Sequence, residues 1–213
     1  MNASAAIAAI LRGEITYLRE RLLAEPPSIS LTPARSDYDL NPALRPITRE
    51  LSPAAVLLPI IVRTEPTILF TRRTRHLSRH AGQVSFPGGR LHADDPSLVR
   101  TALRETEEET GIGAEFIQVA GFLDGYETGT GFAILPVVGL LRDGFVLAPD
   151  PDEVEEAFEV PLAFLIDPAN RERRSIEWQG RAREFYAFNY GSHYIWGATA
   201  GILVNFADRL QTQ

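Results

Sequence analysis

Cysteine is absent from this chain of 213 residues, so disulfide bonds, thiol catalysis and thiolate metal sites are excluded. The absence fits a reducing compartment, and we therefore expect a cytoplasmic protein. No apolar run reaches the roughly 18 residues that a membrane-spanning helix needs, so no membrane partner is expected. The N-terminal stretch is interrupted by Arg12 and Glu14 and lacks a basic leading region, which disfavours a secretory signal.

Positive charge is also in short supply. The chain has 21 basic against 28 acidic residues and a net charge of −7, which disfavours a nucleic-acid partner. Residues 1–48 read as an N-terminal helix and a linker arm, because apolar residues recur at helical spacing before a stretch rich in Pro, Ser and Asp. That helix is expected to pack on the main domain, residues 49–213, or on a partner subunit.

Hydrophobic patterning in residues 49–213 predicts an α/β fold with a mixed sheet between helices. A helix is expected at about 96–110, with Asp95 as its N-cap, Pro96 as its first residue and Gly111 just past its end. A late hairpin is expected to turn at Gln179-Gly180, before a closing helix at 195–210. The expected strands are 54–62, 67–71, 115–123, 132–141, 175–178 and 183–188, with a short strand or helix entry at 158–162.

Within the predicted helix, residues 104–112 read RETEEETGI. Glu105, Glu108 and Glu109 are spaced i, i+3 and i+4, so they share one helix face and repel one another. A hard divalent cation bound through oxygen atoms would offset that repulsion. The Gly88-Gly89 pair upstream lets the backbone approach a ligand or metal closely. The alternative interpretation is a solvated acidic helix face.

Residues 72–80 form a basic cluster with no acid between them, although the whole chain is acidic. Arginine suits bidentate phosphate contacts, so the cluster is a candidate site for phosphate groups. Alternatively, some of these arginines only cover a strand and pair with surface acids. The cluster consists of Arg72, Arg73, Arg75, His76, Arg79 and His80.

The carboxylate segment resembles the Nudix box, G-x5-E-x7-R-E-U-x-E-E-x-G-U, where U is aliphatic. Its first half has one extra residue with Asp95 in place of the upstream Glu, and Thr106 replaces an aliphatic residue. The resemblance implies the Nudix α/β/α sandwich and a Mg²⁺ or Mn²⁺ cofactor. The matching residues are Gly89, Arg104, Glu105, Glu108, Glu109, Gly111 and Ile112.

Residues 69–89, LFTRRTRHLSRHAGQVSFPGG, also resemble the signature of the coenzyme A pyrophosphatase branch, L-L-T-x-R-[ST]-x3-R-x3-G-x3-F-P-G-G. Phe70 and Ser78 depart from it, and Arg79 follows the expected Arg position. Residues 194–200, YIWGATA, resemble an IWG-x-TA stretch of the same branch. The matching residues are Leu69, Thr71, Arg73, Thr74, Gly82, Phe86, Pro87, Gly88 and Gly89.

These resemblances imply cleavage of coenzyme A or acyl-CoA into 3′,5′-ADP and 4′-phosphopantetheine or its acyl form. They imply that Glu105 and Glu109 are the principal metal ligands. Glu108 is a further ligand or the base that takes a proton from water, and the carbonyl oxygen of Gly89 is another candidate ligand. Arg104 is expected to orient the glutamates. The residues expected to contact substrate are Arg72, Arg73, His80, Gln83, Gly88 and Gly89.

Three questions stay open at this point. The base could instead be a glutamate of a later loop, with Glu153, Glu155 and Glu156 as candidates. The substrate could be another diphosphate, such as ADP-ribose, a nucleotide sugar or a dinucleotide, or the domain could be a non-catalytic nucleotide-binding regulator. Members of the family often pair, so a homodimer is one expected arrangement.

Overall fold

The computed structural model describes residues 3–12, 15–28, 33–76, 81–142, 144–178 and 180–211. The helices are α1 (Ala3–Leu11), α2 (Ile15–Arg19), α3 (Leu98–Thr110), α4 (Leu162–Ile166) and α5 (Gly197–Gln211). The strands are β1 (Arg35–Ser36), β2 (Ser52–Ile61), β3 (Thr67–Arg73), β4 (Val84–Ser85), β5 (Gly88–Arg90), β6 (Ile117–Phe122), β7 (Tyr126–Glu127), β8 (Phe132–Leu141), β9 (Val154–Pro161), β10 (Glu172–Trp178), β11 (Arg181–Tyr190) and β12 (His193–Trp196).

Strands β1 to β9 form one mixed sheet around the long parallel pair β2 and β8, which runs from the Ser52–Phe132 pair to the Ile61–Leu141 pair. Both strands are almost continuous apolar runs, as expected for strands covered on both faces. The other edge of β2 pairs with β5 near its start and with β3 near its end. This pairing places the Gly88-Gly89 segment beside the centre of the sheet.

Side chains of the sheet alternate between two helical layers, because successive residues of a strand point to opposite faces. Ala55 and Leu57 of β2 pack in one cluster with Leu103 of α3. Leu58 and Ile60 pack on the opposite face, in a cluster that includes Phe206 of α5. The protein is therefore an α/β/α sandwich with a mixed sheet, as the sequence predicted.

Helix α3 begins two residues later than predicted, because Ser97 and not Asp95 is its N-cap. The Ser97 side chain accepts a hydrogen bond from the N–H of Arg100 at 3.3 Å. Asp95 instead accepts two hydrogen bonds of 2.9 Å from Arg104, since a guanidinium can bind both carboxylate oxygens at once. The predicted end of the helix is confirmed, with Gly111 in the left-handed conformation at φ 74°.

The N-terminal segment forms two short helices, α1 and α2, and not one. Ile10 and Leu18 are buried in the same cluster as α5, so these helices pack on the domain of their own chain. The backbones of Leu23 and Phe122 exchange two hydrogen bonds of 2.9 Å, which ties the end of this segment to β6. Farther along, β1 pairs in parallel with β7. The segment before residue 49 thus contributes side chains to the hydrophobic core and a strand to the main sheet.

The C-terminal region forms a second, three-stranded antiparallel sheet in the order β10, β11, β12. The predicted hairpin is confirmed, although Gln179 of its turn lies outside the described residues. The predicted start of the closing helix at residue 195 is wrong. Ile195 and Trp196 pair with β11, and Gly197, at φ 64°, breaks the strand and starts α5. Among the described helices, none is long and apolar enough to cross a bilayer.

Candidate active site

Two adjacent glycines bring the backbone of β5 between β2 and helix α3. A Cβ atom at Gly88 would lie 2.4 Å from the carbonyl oxygen of Ala55. A Cβ atom at Gly89 would lie 2.3 Å from the carboxyl carbon of Glu105. A side chain at Gly88 would collide with the backbone of β2, and one at Gly89 would displace the carboxylate of Glu105, so the Gly-Gly pair lets the carboxylates of α3 reach this turn.

Glu109 is the most buried carboxylate of the helix, with 3% of its surface exposed. One oxygen accepts a hydrogen bond from the N–H of Gly88 at 3.2 Å, and the other lies 3.4 Å from a guanidinium nitrogen of Arg73. Burial raises the pKa of Glu109 to about 8, and the Gly88 hydrogen bond and the Arg73 charge oppose that rise. A buried carboxylate this poorly compensated is typical of a functional site.

Glu105 lies one turn earlier on α3, against Gly89. Burial also raises the pKa of Glu105, while a hydrogen bond and the charge of Arg104, 2.9 Å away, lower it. The charge of Glu105 adds to the rise in the pKa of Glu109, and the charge of Glu108 adds to that of Glu105. The two carboxylates predicted as principal ligands therefore flank the same glycine turn.

Glu108, in contrast to Glu105 and Glu109, is not buried against the glycine turn. Its side chain is 58% exposed and bonds to Arg104 at 2.8 Å. Arg104 also binds Asp95 and Glu105, so one guanidinium contacts three carboxylates. The hydrogen bond from Arg104 holds the pKa of Asp95 far below its usual range. Arg104 thus forms ion pairs with two of the three glutamates of the motif, Glu105 and Glu108.

Thr106, the departure from the aliphatic position of the motif, is fully buried. Its hydroxyl donates to the carbonyl oxygen of Ala102 at 2.7 Å, so burial leaves no polar atom of the side chain without a partner. Thr110 repeats the arrangement by donating to the carbonyl oxygen of Thr106 at 2.6 Å. The substitution is accommodated within the helix itself.

The donors around the glycine turn suit a hard divalent cation, which prefers carboxylate and carbonyl oxygens. A bound dication would also compensate the buried charges of Glu105 and Glu109. Within the described part of the chain, however, no three Asp, Glu, His or Cys side chains are already grouped to hold an ion. Glu108 would have to leave Arg104 before it could become a third carboxylate ligand.

The described arginines of the expected phosphate-binding cluster are paired with acids. Arg72 binds Glu156 at 2.9 Å and lies 3.5 Å from Glu155. Arg73 lies between Glu109 and Glu153, with the latter 3.7 Å away. Because β9 and the turn before it supply these acids, phosphate groups would have to compete with them for the guanidinium groups.

The remaining predicted substrate contacts are Gln83, Gly88, Gly89 and His80. The carbonyl oxygen of Gln83 accepts a hydrogen bond from the N–H of Arg73 at 3.0 Å, so Gln83 lies beside β3. Gly88 and Gly89 lie at the carboxylates, as described above. His80 and Arg79 lie outside the described residues.

Comparison with known proteins decides the family. The NUDIX domain model matches residues 51–179, which is more than half of the chain. The protein belongs to the Nudix hydrolase family. A relative from Photorhabdus laumondii, named "Uncharacterized Nudix hydrolase NudL", is 40% identical over 177 residues, covering 83% of this chain and 95% of that protein. The protein of the same name from Yersinia enterocolitica is 42% identical over 157 residues, covering 74% and 80%.

Solved Nudix structures are more distant. The MutT/nudix family protein of Enterococcus faecalis is 18% identical with a TM-score of 0.48, and the match covers 76% of this chain and 62% of that chain. The NUDIX domain of Shewanella oneidensis NrtR, solved with ADP ribose, is 20% identical with a TM-score of 0.43, covering 60% and 82%. At these identities the likeness concerns the fold alone.

Sequence patterning missed one residue beside the Nudix site. His193 of β12 stacks on Phe158 with ring centroids 3.6 Å apart, and its Nε2 atom lies 3.2 Å from Glu156. Glu156 in turn binds Arg72, so His193 belongs to the network that surrounds the basic strand β3. The nearest signal in the sequence was the YIWGATA stretch, which begins at the next residue.

A separate cavity of about 100 Å³ lies between β7, the second sheet and α5. Tyr126, Arg183, Trp196 and Asn205 are among the residues that line it. None of the glutamates of the Nudix helix contributes to its walls. The cavity is therefore distinct from the site at the glycine turn.

Proposed function

We propose that this Nudix hydrolase cleaves the diphosphate bond of coenzyme A or acyl-CoA, releasing 3′,5′-ADP and 4′-phosphopantetheine or its acyl form. Membership of the family supports a hydrolase for nucleoside diphosphate derivatives. The observation that carries the reaction is the buried carboxylate of Glu109, bonded to Gly88 and one helical turn from Glu105. The preference for coenzyme A rests on the resemblance of residues 69–89 to the signature of that branch.

The proposed ligands of Mg²⁺ or Mn²⁺ are Glu105 and Glu109, with Glu108 as a third and the carbonyl oxygen of Gly89 as a further candidate. The bound ion supplies charge neutralisation at the diphosphate and lowers the pKa of a coordinated water. Burial of Glu109 supports the assignment, since an anionic carboxylate in this place needs a nearby cation.

The chain's own residues perform three further tasks in this proposal. Arg104 orients Glu105 through their 2.9 Å contact and releases Glu108 when that carboxylate turns to the metal. Arg73, between Glu109 and Glu153, places a positive charge where the diphosphate has to lie. The proton of the attacking water goes to a carboxylate oxygen of Glu108 or Glu153, both of which are accessible to solvent.

Recognition of coenzyme A requires a second anionic subsite for its 3′-phosphate. We assign it to the end of β3, with Arg72 as the main contact among the described residues. Its partners Glu155 and Glu156 are partly exposed, so they can turn to solvent when a phosphate displaces them. His80 belongs to the same proposal on sequence grounds.

A substrate panel tests the proposal. The purified protein is incubated with Mg²⁺ or Mn²⁺ and with coenzyme A, acyl derivatives, dephospho-coenzyme A, ADP-ribose and dinucleotides, and products are identified by mass. We expect kcat/KM to be highest for coenzyme A or an acyl derivative. Faster turnover of ADP-ribose would assign the enzyme to another diphosphate substrate, and no turnover of any compound would favour a nucleotide-binding regulator.

A further inference from the structure

Strand β10 is an open edge of the second sheet. It pairs with β11 on one side, and no other described strand pairs with it. Every residue from Arg173 to Trp178 is exposed, and no described strand covers the other side of β10. An exposed edge of this length is a ready template for pairing with another strand.

The hairpin geometry determines which backbone groups face outward. A two-residue loop joins β10 to β11 and closes on the Trp178–Arg181 pair. Such a turn bonds its flanking residues, and bonded pairs then alternate along an antiparallel ladder. Trp178, Ile176 and Arg174 therefore direct their N–H and C=O groups toward β11. The alternate residues, whose N–H and C=O groups point outward, are Arg173, Ser175 and Glu177.

The outward residues of one copy of β10 are complementary in charge to the same residues of a second, antiparallel copy. If two copies of β10 lie antiparallel about a two-fold axis through Ser175, Arg173 faces Glu177 of the partner subunit, and Glu177 faces Arg173 of the partner subunit. Each facing pair of outward residues exchanges two bonds, which makes about six backbone hydrogen bonds across the axis. Opposite charges in directly opposed positions stabilise such a pair. Glu177 forms no ion pair with another described residue, so it is available for this contact. Arg173 binds Glu184 of its own chain at 2.5 Å, and its guanidinium would bridge Glu184 and Glu177 of the partner subunit.

The other face of the strand supports the same register. Ile176 and Trp178 are 42% and 52% exposed, and both side chains point to the face opposite Arg173. In the register centred on Ser175, the two Ile176 side chains are diagonal neighbours across the axis, within reach of each other. Sliding the pairing to centre on Arg174 would place that arginine opposite its own copy, which like charge disfavours.

We propose that two copies of this chain associate through β10, antiparallel about a two-fold axis at Ser175, to form one continuous six-stranded sheet. A second copy is the partner that fits this edge, because in an antiparallel pair each Arg173 lies opposite Glu177 of the partner subunit. The contact lies on the second sheet, away from the glutamates of α3, and it does not depend on which diphosphate the enzyme cleaves.

Sedimentation equilibrium of the full chain tests the proposal. We expect a mass near twice 23.6 kDa for the native protein and a monomer for Arg173→Glu and for Glu177→Arg, because each variant opposes like charges. The double variant Arg173→Glu/Glu177→Arg restores opposite charges, so we expect it to dimerise. Arg174→Glu makes the same charge change one residue away and should remain dimeric.

Ser175→Pro provides a second test that does not rely on charge. Proline removes an outward N–H group that the β10–β11 ladder does not use, so we expect a folded monomer with an unchanged far-ultraviolet spectrum. A native protein that stays monomeric at high micromolar concentration would overturn the proposal. So would a dimer that survives Ser175→Pro or Arg173→Glu, or a double variant that stays monomeric.

Discussion

The carboxylate of Glu109 accepts a hydrogen bond from the backbone N–H of Gly88 at 3.2 Å, although the two residues are 21 positions apart. This contact joins helix α3 to the glycine turn and places a nearly buried carboxylate beside the chain segment that carries the basic residues. The most direct consequences concern the charge of Glu109, the space at Gly89, the role of Arg72 and the support that the N-terminal helices give to the domain.

Removing the charge of Glu109 should abolish activity without unfolding the protein. We expect Glu109→Gln to lower kcat by several orders of magnitude, because the variant loses a metal-binding oxygen, while the amide still accepts the Gly88 hydrogen bond. Glu107→Gln, on the exposed side of the same helix, is the matched control and should keep native kcat. Steady-state kinetics with Mn²⁺ and a thermal melt of each variant provide the comparison. Full activity in Glu109→Gln would refute the ligand assignment.

Stability in the presence of a chelator should fall as pH rises from about 4.5 to above 8. Burial raises the pKa of Glu109 from 4.5 to about 8 in the folded state. Between these values the folded protein holds a proton that the unfolded chain has released, so each rise in pH favours unfolding. The loss should be on the order of 1–4 kcal/mol, at about 1.4 kcal/mol per pKa unit and allowing for relaxation of the site.

Urea titrations at pH 5 to 9 in EDTA would measure this dependence. Glu109→Gln carries no proton in that position, so its stability should depend less steeply on pH over the same range. Equal slopes for the native protein and the variant would show that Glu109 is ionised throughout and that its burial is compensated.

A single methyl group at Gly89 should disturb the site. We expect Gly89→Ala to displace Glu105, because the added Cβ atom would lie 2.3 Å from the carboxyl carbon of Glu105, and to weaken Mn²⁺ binding. Gly113→Ala is the control, since its Cβ would also meet a glutamate carboxylate, but Glu115 is exposed and can turn to solvent, whereas the side chain of Glu105 is only 14% exposed. Isothermal titration with Mn²⁺ measures both. Equal affinity for the metal in the two variants would exclude Glu105 as a ligand.

Arg72 should discriminate between coenzyme A and dephospho-coenzyme A. We expect Arg72→Gln to raise KM for coenzyme A by roughly 10-fold or more, the effect of losing one charge-assisted hydrogen bond, and to leave dephospho-coenzyme A nearly unaffected. Arg63→Gln removes an arginine that also pairs with a strand glutamate, Glu159, and serves as the control. An equal change for both substrates would place the 3′-phosphate elsewhere.

The N-terminal helices should contribute measurably to the stability of the domain. Leu18 is fully buried against the core that includes α5, so Leu18→Ala should lower the free energy of unfolding by about 2–5 kcal/mol. Arg19→Ala, at the exposed neighbouring position, should change it by less than about 0.5 kcal/mol. Urea denaturation of both variants gives the difference. A small effect of Leu18→Ala would mean that the helix detaches before the domain unfolds.

Local patterns in the sequence predicted much of the helix that carries the glutamates. Apolar and charged spacing identified α3, and Gly111 marked its end, because both depend on residues a few positions apart. The start was misplaced at Asp95 because its carboxylate bonds the side chain of Arg104, a contact that capping patterns do not encode. The strand at Ile195 was missed because residues 195–210 read as one helix, whereas Ile195 pairs with Phe188 across the hairpin of β11 and β12.

The sequence by itself determined the family motif, the shared helix face of Glu105, Glu108 and Glu109, and the α/β class, because helical and strand periodicity are local properties. Only the tertiary structure decided that the three carboxylates differ. Packing of α3 against the glycine turn leaves Glu109 3% exposed, whereas the side chain of Glu108 is 58% exposed and bound to Arg104. Helical spacing gives the three carboxylates a shared face, but the depth to which each is buried depends on packing against the glycine turn, which comes from a separate segment of the chain.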